Sequence, residues 1–274
     1  MSQTHAVALV VSDVDGTLVN SGRELTPATI AAVRKLHEAG LHFTIVTARP
    51  APGVRDLIGA LNITSPIACF NGALVVLPDL TPVRALRMMP KDVVETGRLI
   101  IEAGLDLWVY TEDKWYVSRL GGQHVVHQEQ LVGIEAHQLV DVAVLAESTL
   151  KVVGVSDDYP AVERCEAALQ ARPDLQISAT RSQTYYLDVT HLQANKGNAI
   201  LNLSEVLKIP CSQIATIGDM PTDVLMFRKT GMSIAMGNAS PEVQKCAMYV
   251  TKTNDEDGFA EAMGKYVLRN DNAR

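Results

Sequence analysis

The stretch AVALVVSDVDGTLVN at positions 6–20 decides the fold that the rest of the chain is expected to adopt. From Ala6 to Val11 it is continuously apolar and rich in valine, the pattern of a strand buried on both faces of a parallel sheet. Asp13, Asp15 and Thr17 follow this strand directly. In open α/β sheets, ligands bind just beyond the carboxyl ends of the strands. The stretch therefore predicts a polar site at the end of a central buried strand.

Length and composition limit the classes of protein that fit. The 274 residues predict one large domain or two smaller ones. A formal charge of −7 argues against a general nucleic-acid or membrane-surface binder. No apolar run approaches the roughly 18 residues of a membrane helix, and the first residues lack a secretory signal pattern. We therefore expect a cytoplasmic protein, a monomer or homodimer, with four reduced cysteines.

The elements that follow predict a doubly wound parallel sheet. Thr26 and Pro27 have the pattern of a helix N-cap and a first-turn proline. Strand, helix, strand, helix and strand then alternate as far as Phe70. Asn71-Gly72 lies between two apolar runs, which predicts a hairpin at that point.

The parallel alternation stops after the hairpin and resumes near Lys196. Helices and strands are mixed between these points, with a loosely helical middle, and indicate a separate α+β module. We expect its aromatic residues mainly to pack its sheet against its helices, although one or two could stack on a sugar or pyridine ring. The predicted fold is a Rossmann-like, doubly wound parallel core at residues 1–84 and 188–274, with an inserted α+β cap at 85–187.

Polar residues stand at four strand ends or helix starts of this predicted core. Because the carboxyl ends of parallel strands converge on one edge, we expect these residues to meet there. Carboxylates gathered in this way repel each other by about 4 kcal/mol per pair at 4 Å and an effective dielectric near 20. A divalent cation removes the repulsion, and all-oxygen ligands suit Mg²⁺ better than zinc. The four sites are Asp13 with Asp15 and Thr17, Thr47, Lys196, and Asp219 with Asp223.

The residue types at these positions suit nucleophilic and acid–base chemistry on an anionic group. Asp13 can present its carboxylate as a nucleophile, and Asp15 lies close enough to exchange a proton with a leaving oxygen. Gly16 permits tight backbone geometry, and the hydroxyl of Thr47 is available to an anionic oxygen. Lys196 begins a predicted helix and is set against the helix dipole, which a nearby anion would explain.

Together these residues resemble the haloacid dehalogenase superfamily of phosphohydrolases, in its Cof-type branch with a large inserted cap. The resemblance covers nearly the whole chain. Its four motifs are similar to Asp13-Val14-Asp15-Gly16-Thr17-Leu18, Thr47-Ala48-Arg49-Pro50, Lys196-Gly197 and Gly218-Asp219-Met220-Pro221-Thr222-Asp223. Further signatures are similar to Asn71-Gly72-Ala73, Ala235-Met236-Gly237-Asn238-Ala239 and Asp257-Gly258.

This resemblance implies a Mg²⁺-dependent phosphatase that forms an aspartyl-phosphate. Asp13 would attack phosphorus, while Asp15 would protonate the leaving alcohol and then activate water. Mg²⁺ would be held by the Asp13 carboxylate, the Asp15 backbone carbonyl and Asp219. Thr47, Ala48 and Lys196 would bind the phosphoryl oxygens, and Gly16, Thr17, Arg49, Asn71, Thr222 and Asp223 would support the site. Relatives commonly carry asparagine where this chain has Thr222.

A cap of this size favours a small phosphorylated metabolite, with a sugar phosphate as the first choice. Within the same superfamily, a pyridoxal-phosphate phosphatase and a phosphomutase remain open alternatives. A non-enzymatic receiver module of the response-regulator type also gathers aspartates, threonine and lysine around Mg²⁺. Receivers carry adjacent acids near the N-terminus, whereas the acids of this chain alternate at Asp13 and Asp15, and this difference favours the enzyme.

Overall fold

The computed structural model describes residues 7–268. Within this range, none of the helices is long and apolar enough to cross a membrane. The strands are β1 (Leu9–Ser12), β2 (His42–Ile45), β3 (Ile67–Cys69), β4 (Leu74–Val76), β5 (Pro82–Ala85), β6 (Asp106–Tyr110), β7 (Trp115–Val117), β8 (Ala136–Gln138), β9 (Lys151–Val155), β10 (Ile177–Gln183), β11 (Tyr186–His191), β12 (Ile214–Gly218), β13 (Met232–Ala235) and β14 (Tyr249–Val250). The α-helices are α1 (Pro27–Glu38), α2 (Arg55–Leu61), α3 (Pro90–Glu102), α4 (Gln123–Val132), α5 (Val142–Leu145), α6 (Tyr159–Gln170), α7 (Lys196–Leu207), α8 (Val224–Phe227), α9 (Pro241–Gln244) and α10 (Gly258–Ala262).

The described chain forms two compact units. The first contains residues 7–48, 56–81 and 195–268, and the second contains residues 49–55 and 82–194. The main divisions follow residues 81 and 194, a few positions from the predicted domain boundaries after residues 84 and 187. Strand β11 pairs with β9 and β10, which keeps residues 188–191 in the second unit. The predicted domain boundaries themselves stay a prediction.

A five-stranded sheet in the order β14-β13-β12-β1-β2 forms the centre of the first unit. All of its pairs are parallel, and β1 lies between β12 and β2. Leu9, Val10 and Val11 are completely buried, so the prediction of a strand covered on both faces is confirmed. The strand begins at Leu9, and the predicted start at Ala6 lies outside the described residues. The parallel α/β fold class is likewise confirmed.

Helix packing against this sheet follows the sequence pattern. Thr26 caps α1, because its side chain accepts a hydrogen bond from the backbone N–H of Thr29. Helix α7 turns Ala199, Ile200 and Leu203 towards a cluster that also contains Leu9 and Val11 of β1. Full burial of an aliphatic side chain of this size stabilises a fold by about 1.5–3 kcal/mol. These contacts hold the first turn of α7 beside the end of β1.

The predicted hairpin at Asn71-Gly72 is confirmed. Strands β3 and β4 pair antiparallel on either side of it. Phe70, Asn71 and Gly72 all have positive φ, at 49°, 55° and 99°. A Cβ at Gly72 would lie 2.8 Å from the Cβ of Ala199, so only glycine lets this loop pack against α7.

A six-stranded sheet in the order β10-β11-β9-β6-β7-β8 forms the second unit. Helices α3 and α6 cover one of its faces through a common apolar cluster that includes Val93, Ile100 and Val162. The predicted loosely helical middle corresponds to α4 and α5, but β8, which lies between them, was not predicted. Strand β8 is a three-residue edge strand that buries only Ala136, so it is too short for a period-2 pattern.

Candidate active site

Asp13 lies at the carboxyl end of β1 and is only 5% exposed. Its backbone N–H donates to the carbonyl of Ile217 in β12 at 3.0 Å. The hydroxyl of Ser12 donates to its backbone carbonyl at 2.6 Å. The parallel register therefore fixes the Asp13 backbone beside the end of β12, where the sequence analysis expected other acids to arrive.

Lys196 is the first residue of α7 and joins two of these acids. Its Nζ lies 2.7 Å from Asp13 Oδ1 and 2.6 Å from Asp223 Oδ1. Asn195 caps the helix by accepting a hydrogen bond from the backbone N–H of Asn198 at 3.0 Å. A lysine at this helix end is unfavourable by itself, and the two buried carboxylates offset that cost.

Asp223 positions its neighbours with both of its carboxylate oxygens. One oxygen accepts from Lys196, and the other accepts from the backbone N–H groups of Asp219 at 2.9 Å and Met220 at 2.8 Å. Asp223 is completely buried, so these contacts are shielded from water. The side chain of Thr222 is exposed, and Asp223 supplies the bonds that orient Lys196 and the loop around Asp219.

Asp219 lies against the loop that follows β1. The hydroxyl of Thr17 donates to its Oδ1 at 2.8 Å, and the amide of Asn238 donates to its Oδ2 at 3.4 Å. Gly16 has φ +81°, and a Cβ there would lie 2.5 Å from Asp219 Oδ2. Glycine is therefore required twice at this position, for its backbone conformation and for the space that the carboxylate occupies.

Thr47 follows β2 at the same sheet edge, since Ser12 of β1 is aligned with Ile45 of β2. It is 1% exposed, its backbone N–H donates to Ala68, and its carbonyl accepts from the N–H of Asn71. The hairpin thus holds the Thr47 backbone from the other side. The other predicted residues of this edge differ in exposure: Asp15 and Ala48 are exposed, whereas Arg49 is half-buried, belongs to the second unit and donates to the carbonyl of Gly53.

Burial and like charges disturb the pKa values of this cluster. Burial raises the pKa of Asp13 to about 8, with Asp223 and Asp219 adding to the rise and Lys196 opposing it. Burial also raises the pKa of Asp219, against the hydrogen bond from Thr17. For Lys196, burial would lower the pKa, but Asp13 and Asp223 hold it above its ordinary value. The single positive charge of Lys196 therefore does not neutralise the carboxylates of Asp13, Asp219 and Asp223.

The cluster fits a divalent cation of the Mg²⁺ type. Asp13, Asp219 and Asp223 each bring a carboxylate oxygen within 4.8 Å of the others. The donor set is all oxygen, which Mg²⁺ prefers. Both carboxylate oxygens of Asp223 already accept hydrogen bonds, one from Lys196 and the other from two backbone N–H groups. Asp13 and Asp219 are therefore the better candidates for metal ligands.

The charged and aromatic side chains of the second unit pair largely among themselves. Trp108 and Trp115 are buried with ring centroids 5.0 Å apart, whereas Leu107 and Val109 of β6 belong to the apolar cluster shared with α3 and α6. The expectation that the aromatic residues pack the sheet against its helices is therefore not confirmed for these two tryptophans. Lys151 forms an ion pair with Asp188 at 2.6 Å, although the pair is not aligned as a hydrogen bond. Arg119 pairs with Asp106, and Arg181 pairs with Glu163 and Glu166.

Asn238 lies at the site but was not among the predicted site residues. Besides Asp219, its amide reaches the backbone carbonyl of Gly16 at 2.9 Å. The available signal was the stretch Ala235-Met236-Gly237-Asn238-Ala239, which contributed to the family resemblance but was given no role. An exposed asparagine after a strand resembles any turn residue, so residue type alone could not single it out.

Two curated relatives match almost the whole chain. A Haemophilus influenzae protein, named as a candidate phosphatase, is 28% identical over 252 residues, which cover 92% of this chain and 95% of the relative. A Bacillus subtilis protein named 5-amino-6-(5-phospho-D-ribitylamino)uracil phosphatase YwtE is 27% identical, with coverage of 92% and 95%.

A solved structure agrees with these relatives. The crystal structure of a haloacid dehalogenase-like hydrolase from Bacteroides thetaiotaomicron superposes with a TM-score of 0.83 at 26% identity, covering 94% of this chain and 98% of that one. The family model described as haloacid dehalogenase-like hydrolase matches residues 10–263, which contain all four motifs quoted above. The chain therefore belongs to the family of haloacid dehalogenase-like hydrolases.

Proposed function

We propose that this haloacid dehalogenase-type phosphatase depends on Mg²⁺ and hydrolyses a small phosphorylated metabolite, with sugar phosphates as the first class to test. The observation that carries the proposal is the buried cluster in which Lys196 lies between Asp13 and Asp223, with Asp219 beside them. A non-enzymatic receiver is excluded, because the chain belongs to a family of hydrolases.

Asp13 is the proposed nucleophile. One of its carboxylate oxygens forms a bond to phosphorus while the bond from phosphorus to the substrate's alcohol oxygen breaks. Asp15, exposed in the same loop, gives its proton to that leaving oxygen. The products of this half-reaction are a free alcohol and a phosphoryl group attached to Asp13.

Hydrolysis of this aspartyl-phosphate completes the cycle. Asp15, now a carboxylate, takes a proton from water, and the water oxygen attacks phosphorus. The bond between phosphorus and the Asp13 oxygen breaks, which releases inorganic phosphate and restores both side chains. Asp15 thus acts first as an acid and then as a base.

Charge neutralisation is the other requirement of the reaction. Lys196 and the hydroxyl of Thr47 are the proposed contacts of the phosphoryl oxygens, together with the backbone at Ala48. Asp13, Asp219 and the Asp15 backbone carbonyl are the proposed Mg²⁺ ligands. When bound, Mg²⁺ would stabilise the charge on the phosphoryl group and keep Asp13 ionised despite its burial.

A relative supports the substrate class. The Bacillus subtilis relative YwtE is named as a 5-amino-6-(5-phospho-D-ribitylamino)uracil phosphatase, and that compound carries its phosphate on a ribityl chain, a sugar-alcohol substituent. We propose that the inserted residues 85–187 act as a cap that selects this organic part and excludes water from the reaction.

Phosphate release by the purified chain tests the function. With an aryl phosphate as substrate, Asp13→Asn is expected to abolish turnover and Asp15→Asn to slow it by at least about a hundredfold. Removal of Mg²⁺ with a chelator should stop the wild-type reaction, and added Mg²⁺ should restore it. A panel of sugar phosphates, sugar-alcohol phosphates and pyridoxal phosphate then ranks substrates by kcat/KM.

Asp56→Asn provides the matched control, because Asp56 is exposed on α2 and outside the cluster. Its turnover is expected to equal that of the wild type. Undiminished turnover by Asp13→Asn would contradict the nucleophile assignment. Transfer of labelled phosphate to a second hydroxyl, without free phosphate, would contradict the hydrolase and favour a phosphomutase.

A further inference from the structure

Two loops of the first unit meet the loop that carries Asp13 and Asp15. One follows β13 and contains Asn238, and the other follows β14 and contains Asn254. The backbone N–H of Asn254 donates to Asn238 Oδ1 at 3.0 Å, and the Asn254 side-chain amide donates to the carbonyl of Val19 at 3.0 Å. The two asparagines thus link three separate stretches of chain.

The bond from Asn254 decides which way the Asn238 amide points. A backbone N–H can only donate, so it must face the oxygen of the Asn238 side chain. The nitrogen of that side chain then faces its two acceptors, the carbonyl of Gly16 at 2.9 Å and Asp219 Oδ2 at 3.4 Å. The donor that meets Asp219 is therefore set by a contact on the far side of the same amide.

The loop that contains Asn254 is itself well fixed. Thr253 and Glu256 form a reciprocal capping box around it. The hydroxyl of Thr251 donates to the carbonyl of Gly258 at 2.8 Å. Gly237 approaches it so closely that a Cβ there would lie 2.8 Å from the backbone N of Thr253. Asn254 consequently presents its N–H from a rigid support.

We infer that Asn238, held by Asn254, is a positioning residue for Mg²⁺ binding: it fixes the Asp219 carboxylate directly and, through the carbonyl of Gly16, the loop that carries Asp13 and Asp15. The inference rests on the proposed function, in which Asp219 is a metal ligand. Thr17 orients one oxygen of Asp219 by a hydrogen bond of 2.8 Å, and Asn238 orients the other. Outer-shell donors of this kind hold a ligating carboxylate in one orientation before the metal arrives.

The contacts of Asn238 and Asn254 predict which property of the protein should change first when either side chain is removed. The hydrogen bonds of Asn238 join it to Gly16, Asp219 and Asn254, and not to the side chains of Asp13 or Asp15. Its loss should therefore weaken metal binding before it affects the chemical steps. Asn254 acts one contact further away. Its side-chain amide holds Val19 at the end of the Asp13 loop, and its loss should have the same effect at smaller size.

Calorimetric titration of Mg²⁺ into the chelator-treated protein tests this inference without reference to turnover. Asn238→Ala is expected to raise the Kd for Mg²⁺ about tenfold, and Asn254→Ala to raise it by a smaller factor. In steady-state assays with an aryl phosphate, Asn238→Ala should raise the apparent KM for Mg²⁺ by a similar factor. At saturating Mg²⁺ its kcat should return to within about twofold of the wild type.

Asn202→Ala is the matched control, since it makes the same chemical change in the middle of α7 and should leave the Kd for Mg²⁺ unchanged. Thermal melts of the metal-free variants should be close to the wild-type melt. Wild-type Kd and KM values for Mg²⁺ in Asn238→Ala would overturn this inference alone. A wild-type protein that neither binds Mg²⁺ nor needs it for turnover would overturn the proposed function and this inference together.

Discussion

Asp13 is held in surroundings that make its own charge costly. Its carboxylate is buried, and two further carboxylates, Asp219 and Asp223, lie within the same small cluster. Lys196 compensates only part of this cost, because it is shared with Asp223. The residue assigned the nucleophilic role is therefore the one that a bound cation would stabilise most, which ties metal binding to readiness for reaction.

The contribution of Asp13 to the stability of the metal-free protein should fall as the pH rises from about 4 to about 8. Burial raises the pKa of Asp13 from the ordinary 3.8 to about 8. Between these two pH values the folded chain keeps a proton on Asp13 that the unfolded chain has lost. Raising the pH therefore favours the unfolded state. Urea unfolding of chelator-treated protein at several pH values in this window measures the effect.

Asp13→Asn isolates the contribution of this residue from that of the histidines that titrate in the same range. The amide stays neutral at every pH, so the variant should lose less stability than the wild type between pH about 5 and about 8. In the wild-type protein, saturating Mg²⁺ should restore the stability that the metal-free form has lost at the upper end of this pH range, because Mg²⁺ binds only the folded state. Parallel stability curves for the two metal-free proteins would show that Asp13 is already ionised in this range.

At the scale of elements, the loop after β1 is shaped by the contacts of Gly16. Gly16→Ala is expected to lower kcat/KM about a hundredfold, because its methyl group would displace Asp219 from the position that Thr17 and Asn238 define. The added Cβ would lie 2.5 Å from Asp219 Oδ2. Steady-state kinetics with an aryl phosphate at several Mg²⁺ concentrations measures the loss.

Gly40→Ala separates this clash from backbone strain. Gly40 also has a positive φ, +74° against +81° at Gly16, but a Cβ there would meet nothing within 4 Å. Both variants should lose about 1–2 kcal/mol of stability from the left-handed backbone. Only Gly16→Ala should lose activity, and equal kinetic losses in both variants would attribute the effect to strain and remove the role assigned to the close contact.

Helices, strands and turns could be predicted from the sequence where neighbouring residues determine them. Thr26-Pro27 fixes the start of α1, Asn71-Gly72 fixes the hairpin, and the apolar run before Asp13 fixes the central strand. Strand β8 was not predictable, because its three residues, which pair with β7, are too few to carry a periodic pattern. The role of Asn238 could not be predicted for a different reason. Its hydrogen-bond partners, Gly16 and Asp219, are 222 and 19 positions away, so these contacts form only when the chain has folded.

At the scale of the whole molecule, the candidate site depends on the entire first unit. Asp13, Thr47, Lys196 and Asp219 come from four strand ends or helix starts, and the bond between Thr17 and Asp219 spans 202 positions. The inserted second unit separates these contributions in sequence without interrupting the parallel sheet. The order of motifs along the chain could therefore predict which residues converge, although it could not predict their hydrogen bonds.

Both tryptophans of the chain, Trp108 and Trp115, belong to the second unit, so tryptophan emission reports the unfolding of that unit. Its buried ion pair joins Lys151 to Asp188, with Lys151 Nζ 5.4 Å from the ring centre of Tyr186. Lys151→Met would leave Asp188 without its cation in a largely buried place. We expect a loss of about 3 kcal/mol, measured by urea unfolding followed through tryptophan emission.

Removal of both charges should reverse most of this loss, because the cost comes from the unpaired carboxylate and not from the missing lysine. The double variant Lys151→Met/Asp188→Leu is therefore expected to unfold at a higher urea concentration than Lys151→Met alone. Arg119→Met is the matched control: Arg119 pairs with Asp106, but its side chain is 71% exposed against 9% for Lys151. Water already screens that pair, so its loss should cost less than about 1 kcal/mol. If Lys151→Met cost no more than Arg119→Met, burial of the ion pair would contribute nothing to the stability of the second unit.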